Sequence, residues 1–380
     1  MIRQRDVVKK VAETHGGHII TGAQSIFEAP DPHIARFDLN ENLFGPSPKV
    51  VDAIRNFVEK VGVNWYNAWL RNPCQEAIAK YACVRPSNVF VCNGSAELLV
   101  LLGQVFLDPG DELIAAYPTY RPLINYARMY ESKVVEVLHE KDFNADRLPQ
   151  KMSEKIGPKT KMVYLCNPTT FAAKVPKAEI VKLLDRAQES KSIVIVDEAY
   201  YDSGTYPLSN VTVTDLIDKY DNLIVVRTFS KSFAMAGLRI GYAISCEENT
   251  TAFDGFFSPL GISSLAYVAA MAALEDLPYY EDVRKKIELN KQFLSEELVK
   301  LKVEVFPSCT NCILARFPPG ILNDSAQRKG LWTRLVERGI YLRNKSVMYS
   351  QTDLCHDMVR ITIGKREDCE RFVDELRTML

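Results

Sequence analysis

Lys231 stands in the segment TFSKSFAMAGLRIGY, beside Ser230 and eight residues before Arg239. Alone, a loop lysine is a solvated charge. Upstream, VIVDEAYYD closes an apolar run at Asp197, 34 residues before Lys231, with Tyr200 three residues further on. An amine able to condense with an aldehyde, a carboxylate and a phenol are thereby expected on one rim. In CNGSAELL, Gly94, Ser95 and Ala96 open a helix directly after a strand, and the free N–H groups and dipole of such a helix start favour phosphate. A plain Ser95 N-cap is the alternative there. Taken with Ser230 and Arg239, the helix start reads as a phosphate cup beside an imine-forming lysine, which points to pyridoxal 5'-phosphate as cofactor.

The elements that must position these groups follow from periodicity. From about residue 48 helical and strand patterns alternate: PKVVDAIRNFVEKVG and CQEAIAKYACV are helical, and NVFVCN, ELIAAY, KVVEVL, KMVYLC, SIVIVDEAY and NLIVVRTFS are short β-rich runs. This alternation predicts an α/β chain with a mostly parallel sheet, helices on both faces and ligand loops on one rim. After about residue 250 two long helical patterns lead into VEVF, NCILARF, GIYLR and MVRITIG and a closing helix, the pattern of a smaller α+β unit. The expected division is an arm at 1–44, a large cofactor-binding domain at 45–275 and a small C-terminal domain at 276–380.

Bulk properties exclude other classes. The chain has 380 residues, 47 Lys and Arg against 48 Asp and Glu, and a net charge of −1, so no global field draws nucleic acid. No apolar run reaches the roughly 18 residues of a membrane span. Nine cysteines without an export signal fit free thiols in a cytoplasmic protein. Cys309 and Cys312 form a lone CxxC with no partners to complete a zinc set, so no metal is expected.

The ordered series FDLNENLFGPSP, NGSAELL, DPGDELIAAYPTY, IVDEAYYD, TFSKSFAMAGLRIGY and MVRITIGKRED resembles the pyridoxal-phosphate aminotransferases of type I fold, most closely the histidinol-phosphate aminotransferase group. The resemblance implies a homodimer that moves an amino group between an amino acid or amino-alcohol phosphate and a 2-oxo acid. It implies that Lys231 is the Schiff-base lysine, that Asp197 partners the pyridine nitrogen, that Tyr200 bonds the phenolic oxygen and that Tyr120 stacks on the ring. Gly94, Ser95, Ala96, Ser230 and Arg239 would hold the phosphate, with Tyr66 reaching the neighbouring subunit's phosphate site. Arg360 and Arg343 match substrate-binding arginines, a strand-end surface arginine being the alternative for Arg343. Asn42 lies in the substrate-facing segment. Trp65, Trp69 and Phe171 either line the substrate pocket or pack the dimer interface, and packing is the expectation.

Two departures stand out. The family's NPNNPTG loop reads Asn167, Pro168, Thr169, Thr170, Phe171, Ala172, Ala173 here, so Thr170 replaces the asparagine that donates to the phenolic oxygen. A tyrosine of the family's N-terminal arm falls on Ala23. His15, Gly16 and Gly17 resemble the HGG of threonine-phosphate decarboxylases, which keeps decarboxylation open, and the altered loop keeps open an inactive scaffold of the same fold.

Overall fold

The computed structural model describes residues 31–204, 211–258, 260–325, 329–345 and 352–380. The arm residues His15, Gly16, Gly17 and Ala23 lie outside them. Twelve strands are described: β1 (Ala35–Phe37), β2 (Val89–Cys92), β3 (Glu112–Tyr117), β4 (Lys133–Leu138), β5 (Thr160–Cys166), β6 (Ile193–Asp197), β7 (Leu223–Thr228), β8 (Gly241–Ile244), β9 (Glu304–Phe306), β10 (Cys312–Arg316), β11 (Ile340–Asn344) and β12 (Met358–Thr362). Seven form one sheet in the order β2-β8-β7-β6-β5-β3-β4, and five form a second, β1-β11-β12-β10-β9.

In the larger sheet β3 to β7 pair in parallel, while β8 runs antiparallel to both β7 and β2. Its strands read as unbroken apolar runs because both faces are covered. Val163, Leu165, Val194, Val196 and Val225 join one core with the helices Pro48–Lys60, Arg71–Ala82, Lys177–Glu189 and Ser264–Leu274. Their neighbours Met162, Tyr164, Ile195, Ile224 and Val226 join another with the helices Ser95–Phe106 and Pro122–Met129.

The smaller sheet is largely antiparallel and has its own core, closed by the helices Leu277–Lys300 and Arg366–Met379. Its edge strand β1 comes from the N-terminal part of the chain and pairs in parallel with β11. The chain therefore leaves β1 through residues 38–44 and crosses to the larger layer, placing LNEN between the two.

Candidate active site

Topology alone gathers the rim. β2 is antiparallel to β8, which is antiparallel to β7, so β2 points the same way as β3 to β7. The carboxyl ends of β2, β3, β5, β6 and β7 then deliver Gly94–Ala96, Tyr120, Thr170, Asp197 with Tyr200, and Ser230 with Lys231 to one edge. Arg239 arrives there just before β8.

Gly94, not Ser95, caps the helix Ser95–Phe106; it has φ +86° and no side chain caps the first turn. Ser95 is thus the first helical residue, which corrects the Ser N-cap alternative. A Cβ on Gly94 would stand 2.6 Å from Arg239 Nη2, and one on Gly241 would stand 2.6 Å from the Ser95 backbone nitrogen. The absence of two side chains lets guanidinium, helix start and β8 converge. Arg239 itself adopts φ +55° and donates from Nη1 to Ala236 O at 3.0 Å and to Ser230 Oγ at 3.4 Å. Ser230 is placed by Thr228, whose Oγ1 donates to its Oγ at 2.9 Å and accepts from its N–H at 3.1 Å. This cup of donors suits a phosphate.

Asp197 is buried at the end of β6 and accepts from Tyr164 Oη at 2.8 Å and from the Ala199 N–H at 3.0 Å. Burial pushes its carboxyl up to about 6, against those two bonds. Tyr120 is pushed up to about 12, by burial first and then by the nearby Asp197 charge. Lys231 Nζ donates to Leu39 O at 2.8 Å and lies 5.9 Å from the centre of the Tyr200 ring. Loss of hydration, then the positive charge of Arg360, bring its ammonium down to about 8. Asn42 braces this loop, donating from Nδ2 to Ser232 O at 2.8 Å.

The altered loop keeps its turn without the family's Pro and Gly. Thr169 Oγ1 accepts from the N–H groups of Phe171 and Ala173, and Ala172 takes φ +65°. Thr170 Oγ1 is buried and, among the described residues, has no hydrogen-bond partner. Phe171 is buried and packs inside the chain, 4.5 Å from the Phe143 ring and 5.2 Å from His139, and that cluster includes Phe306 and Met358 of the smaller layer. Cys309 ties the loop down by donating its N–H to Ala172 O at 2.9 Å.

On the smaller sheet Arg343 and Arg360 face one another across β11 and β12. Arg343 is 5% exposed, which rules out a surface arginine. Arg360 donates from Nη2 to Asp38 O at 3.3 Å, and its Nε has no partner among the described residues. Lys345 is 1% exposed, with Nζ 5.4 Å from the Phe171 ring centre. Tyr66 stands apart at 83% exposure, with Trp65 and Trp69 also exposed.

Three residues escaped the sequence reading. Asn40 sits two residues before Asn42 with φ +54°, and its amide donates to Tyr200 Oη at 3.0 Å. Tyr164 looks like any core aromatic until its hydroxyl is seen on Asp197. Lys345 reads as a surface charge after β11. No group of three or more His, Cys, Asp or Glu among the described residues could hold a metal.

The residues present fit pyridoxal phosphate. The Thr170 hydroxyl, without a partner among the described residues, the cup that a Cβ would fill and a buried carboxylate that no described cation pairs with match a phenolic oxygen, a phosphate and a protonated ring nitrogen in turn.

The family model for class I and II aminotransferases matches residues 32–376. The histidinol-phosphate aminotransferase 2 of Carboxydothermus hydrogenoformans is 31% identical over 353 residues, covering 92% of this chain and 91% of that protein. The histidinol-phosphate aminotransferase of Thermoanaerobacter sp. is 32% identical over 352 residues, covering 92% and 94%. Among solved structures, histidinol-phosphate aminotransferase from Sinorhizobium meliloti, in complex with pyridoxal-5'-phosphate, superposes with a TM-score of 0.83 at 23% identity over 100% of this chain and 98% of that one. L-threonine-O-3-phosphate decarboxylase from Porphyromonas gingivalis gives 0.75 at 22% identity over 91% and 99%, a likeness of fold.

Proposed function

The chain belongs to the class I and II aminotransferases and is a pyridoxal-phosphate-dependent enzyme of type I fold, and from that premise we propose that its amino donor is an amino-alcohol phosphate of the histidinol phosphate kind and its acceptor a 2-oxo acid. The observation that carries the reading is Lys231, its amine held near neutrality at about 8 and placed by Leu39 O beside Tyr200. The facing pair Arg343 and Arg360 supports an anionic end on the substrate, since guanidinium forks suit phosphate and carboxylate oxygens.

When bound, pyridoxal phosphate supplies the aldehyde that accepts and returns the amino group and the ring that takes up the electron pair left at the substrate carbon. Lys231 Nζ, as the free amine, would take the proton from that carbon and deliver it to the cofactor's former aldehyde carbon. Asp197, held by Tyr164, would keep a proton at the ring nitrogen. Tyr200 and Thr170 would donate to the phenolic oxygen. Tyr120 would cover a ring face, and Gly94, Ser95, Ala96, Ser230 and Arg239 would hold the phosphate. Arg343 and Arg360 orient the donor's anionic end, and Asn42 keeps the Lys231 loop in place. We assign the arm to 1–44, the large domain to 45–275 and the small domain to 276–380. Two copies form a homodimer in which Tyr66 of each serves the other's phosphate cup. The nine free cysteines support a cytoplasmic setting; among the described residues no helix is long and apolar enough to cross a membrane.

A panel of histidinol phosphate, threonine phosphate, glutamate and aromatic amino acids tests the reading against the visible spectrum of the loaded protein. Histidinol phosphate is expected to bleach the cofactor band, and a 2-oxo acid to restore it. A response confined to another donor would overturn the substrate, and CO2 released from threonine phosphate would overturn the reaction.

A further inference from the structure

Asn40 lies between the two layers and uses each of its backbone and side-chain polar groups. It is 1% exposed and adopts φ +54°. Its N–H donates to Thr362 Oγ1 at 2.9 Å, and the same hydroxyl donates back to Asn40 Oδ1 at 3.1 Å. Its carbonyl accepts from Asn311 Nδ2 at 3.1 Å. The Thr362 hydroxyl takes the backbone N–H on one lone pair and gives its proton to the side-chain oxygen, which turns the amide nitrogen the other way. Nδ2 is left aimed at Tyr200 Oη, 3.0 Å away, with Cys312 Sγ as a second contact at 3.5 Å. Thr362 and Asn311 belong to the smaller layer, while Tyr200 follows β6 of the larger.

Tyr200 thus receives a hydrogen bond on its oxygen, and among the described residues its own proton has no acceptor. Burial keeps the phenol above its ordinary pKa, so it stays a donor. A hydroxyl that accepts one hydrogen bond donates the next more strongly. The charged and titratable groups around it include Arg360, Cys312, Asp197, Lys231 and Tyr120.

We propose that Asn40 is a positioning residue that strengthens the bond from Tyr200 to the cofactor's phenolic oxygen, offsetting the loss of the family's asparagine at Thr170. The inference rests on the functional reading above. It makes the smaller layer part of the cofactor's tuning: outward movement of Thr362 and Asn311 draws Asn40 from Tyr200 and weakens the donation.

The test is the pH titration of the bound cofactor's visible absorbance in wild type, Asn40→Gly, Tyr200→Phe and the double variant. Glycine tolerates the positive φ of this position, so the backbone turn survives while the amide is lost. A donor to the phenolic oxygen stabilises the deprotonated, more negative form, so weakening it raises the apparent pKa. Asn40→Gly should raise it by about half a pH unit or more, and should add nothing once Tyr200 is Phe. Thr362→Val, which frees the amide to turn, should move it the same way by less. An unchanged titration in Asn40→Gly, or an equal shift with and without the Tyr200 hydroxyl, overturns the inference while the functional reading stands. A wild type that takes up no cofactor overturns both.

Discussion

Lys231 gives up hydration on entering the fold and meets the field of Arg360, and both effects favour the neutral amine, which is the nucleophile. In cofactor-free protein, acylation of Lys231 by a small reagent should therefore rise through pH about 8 rather than the 10.5 of a free lysine. Arg360→Leu removes a positive charge, so the midpoint should climb; peptide mapping against pH checks both. Thr170 gives a prediction of opposite signs. Its buried hydroxyl has no partner among the described residues, so Thr170→Val should make the cofactor-free protein up to about 1 kcal/mol more stable to urea and weaken cofactor binding about fivefold. A loss of both, or of neither, would mean that the hydroxyl does not face the cofactor. The residues legible in the sequence were those whose types announce chemistry beside strand ends: Lys231, Asp197, Ser230 and Arg239. Asn40 and Tyr164 act through geometry, a left-handed turn in one case and a hydroxyl beside a carboxylate in the other, and no spacing encodes either.

At the scale of elements, the contact that shapes the cup is β8 against the start of the helix Ser95–Phe106. A Cβ at Gly241 would meet the Ser95 nitrogen at 2.6 Å, the Arg227 oxygen at 2.9 Å and the Gly94 carbonyl carbon at 3.0 Å, all of them backbone. None can rotate away, so Gly241→Ala must push the helix start off β8. The expected cost is about 1–3 kcal/mol in urea unfolding together with weakened cofactor binding; a variant with wild-type stability and affinity would show the helix start to be mobile. Periodicity revealed most elements because both faces of the larger sheet are covered, which turns its strands into continuous apolar runs such as KMVYLC and NLIVVRT. The two strands it did not reveal are short and owe their existence to distant partners. β1 has three residues and pairs with β11, some 300 positions later, and β8 is a four-residue antiparallel insertion between β7 and β2.

For the whole molecule, the question is what covers the stretch from 61 to 69. Val61, Val63, Trp65, Tyr66 and Trp69 are all exposed there, and large apolar side chains gathered in this way mark a surface built for a partner. In the proposed homodimer the partner's Tyr66 completes the phosphate cup, so cofactor binding and dimerisation are linked. Linkage requires that the factor by which cofactor tightens the dimer equal the factor by which dimerisation tightens the cofactor. Sedimentation of wild type with and without cofactor should show a lower dimer dissociation constant for the loaded form. Trp65→Glu removes an aromatic anchor and buries a charge, and should weaken the dimer about thirtyfold or more, the scale of a hot-spot residue. Tyr66→Phe separates the two roles: its ring still packs while its hydroxyl is gone, so the dimer should persist and the cofactor dependence of its dissociation constant should shrink. A dimer whose dissociation constant ignores the cofactor in wild type would place Tyr66 away from the phosphate and leave each subunit to bind its cofactor alone.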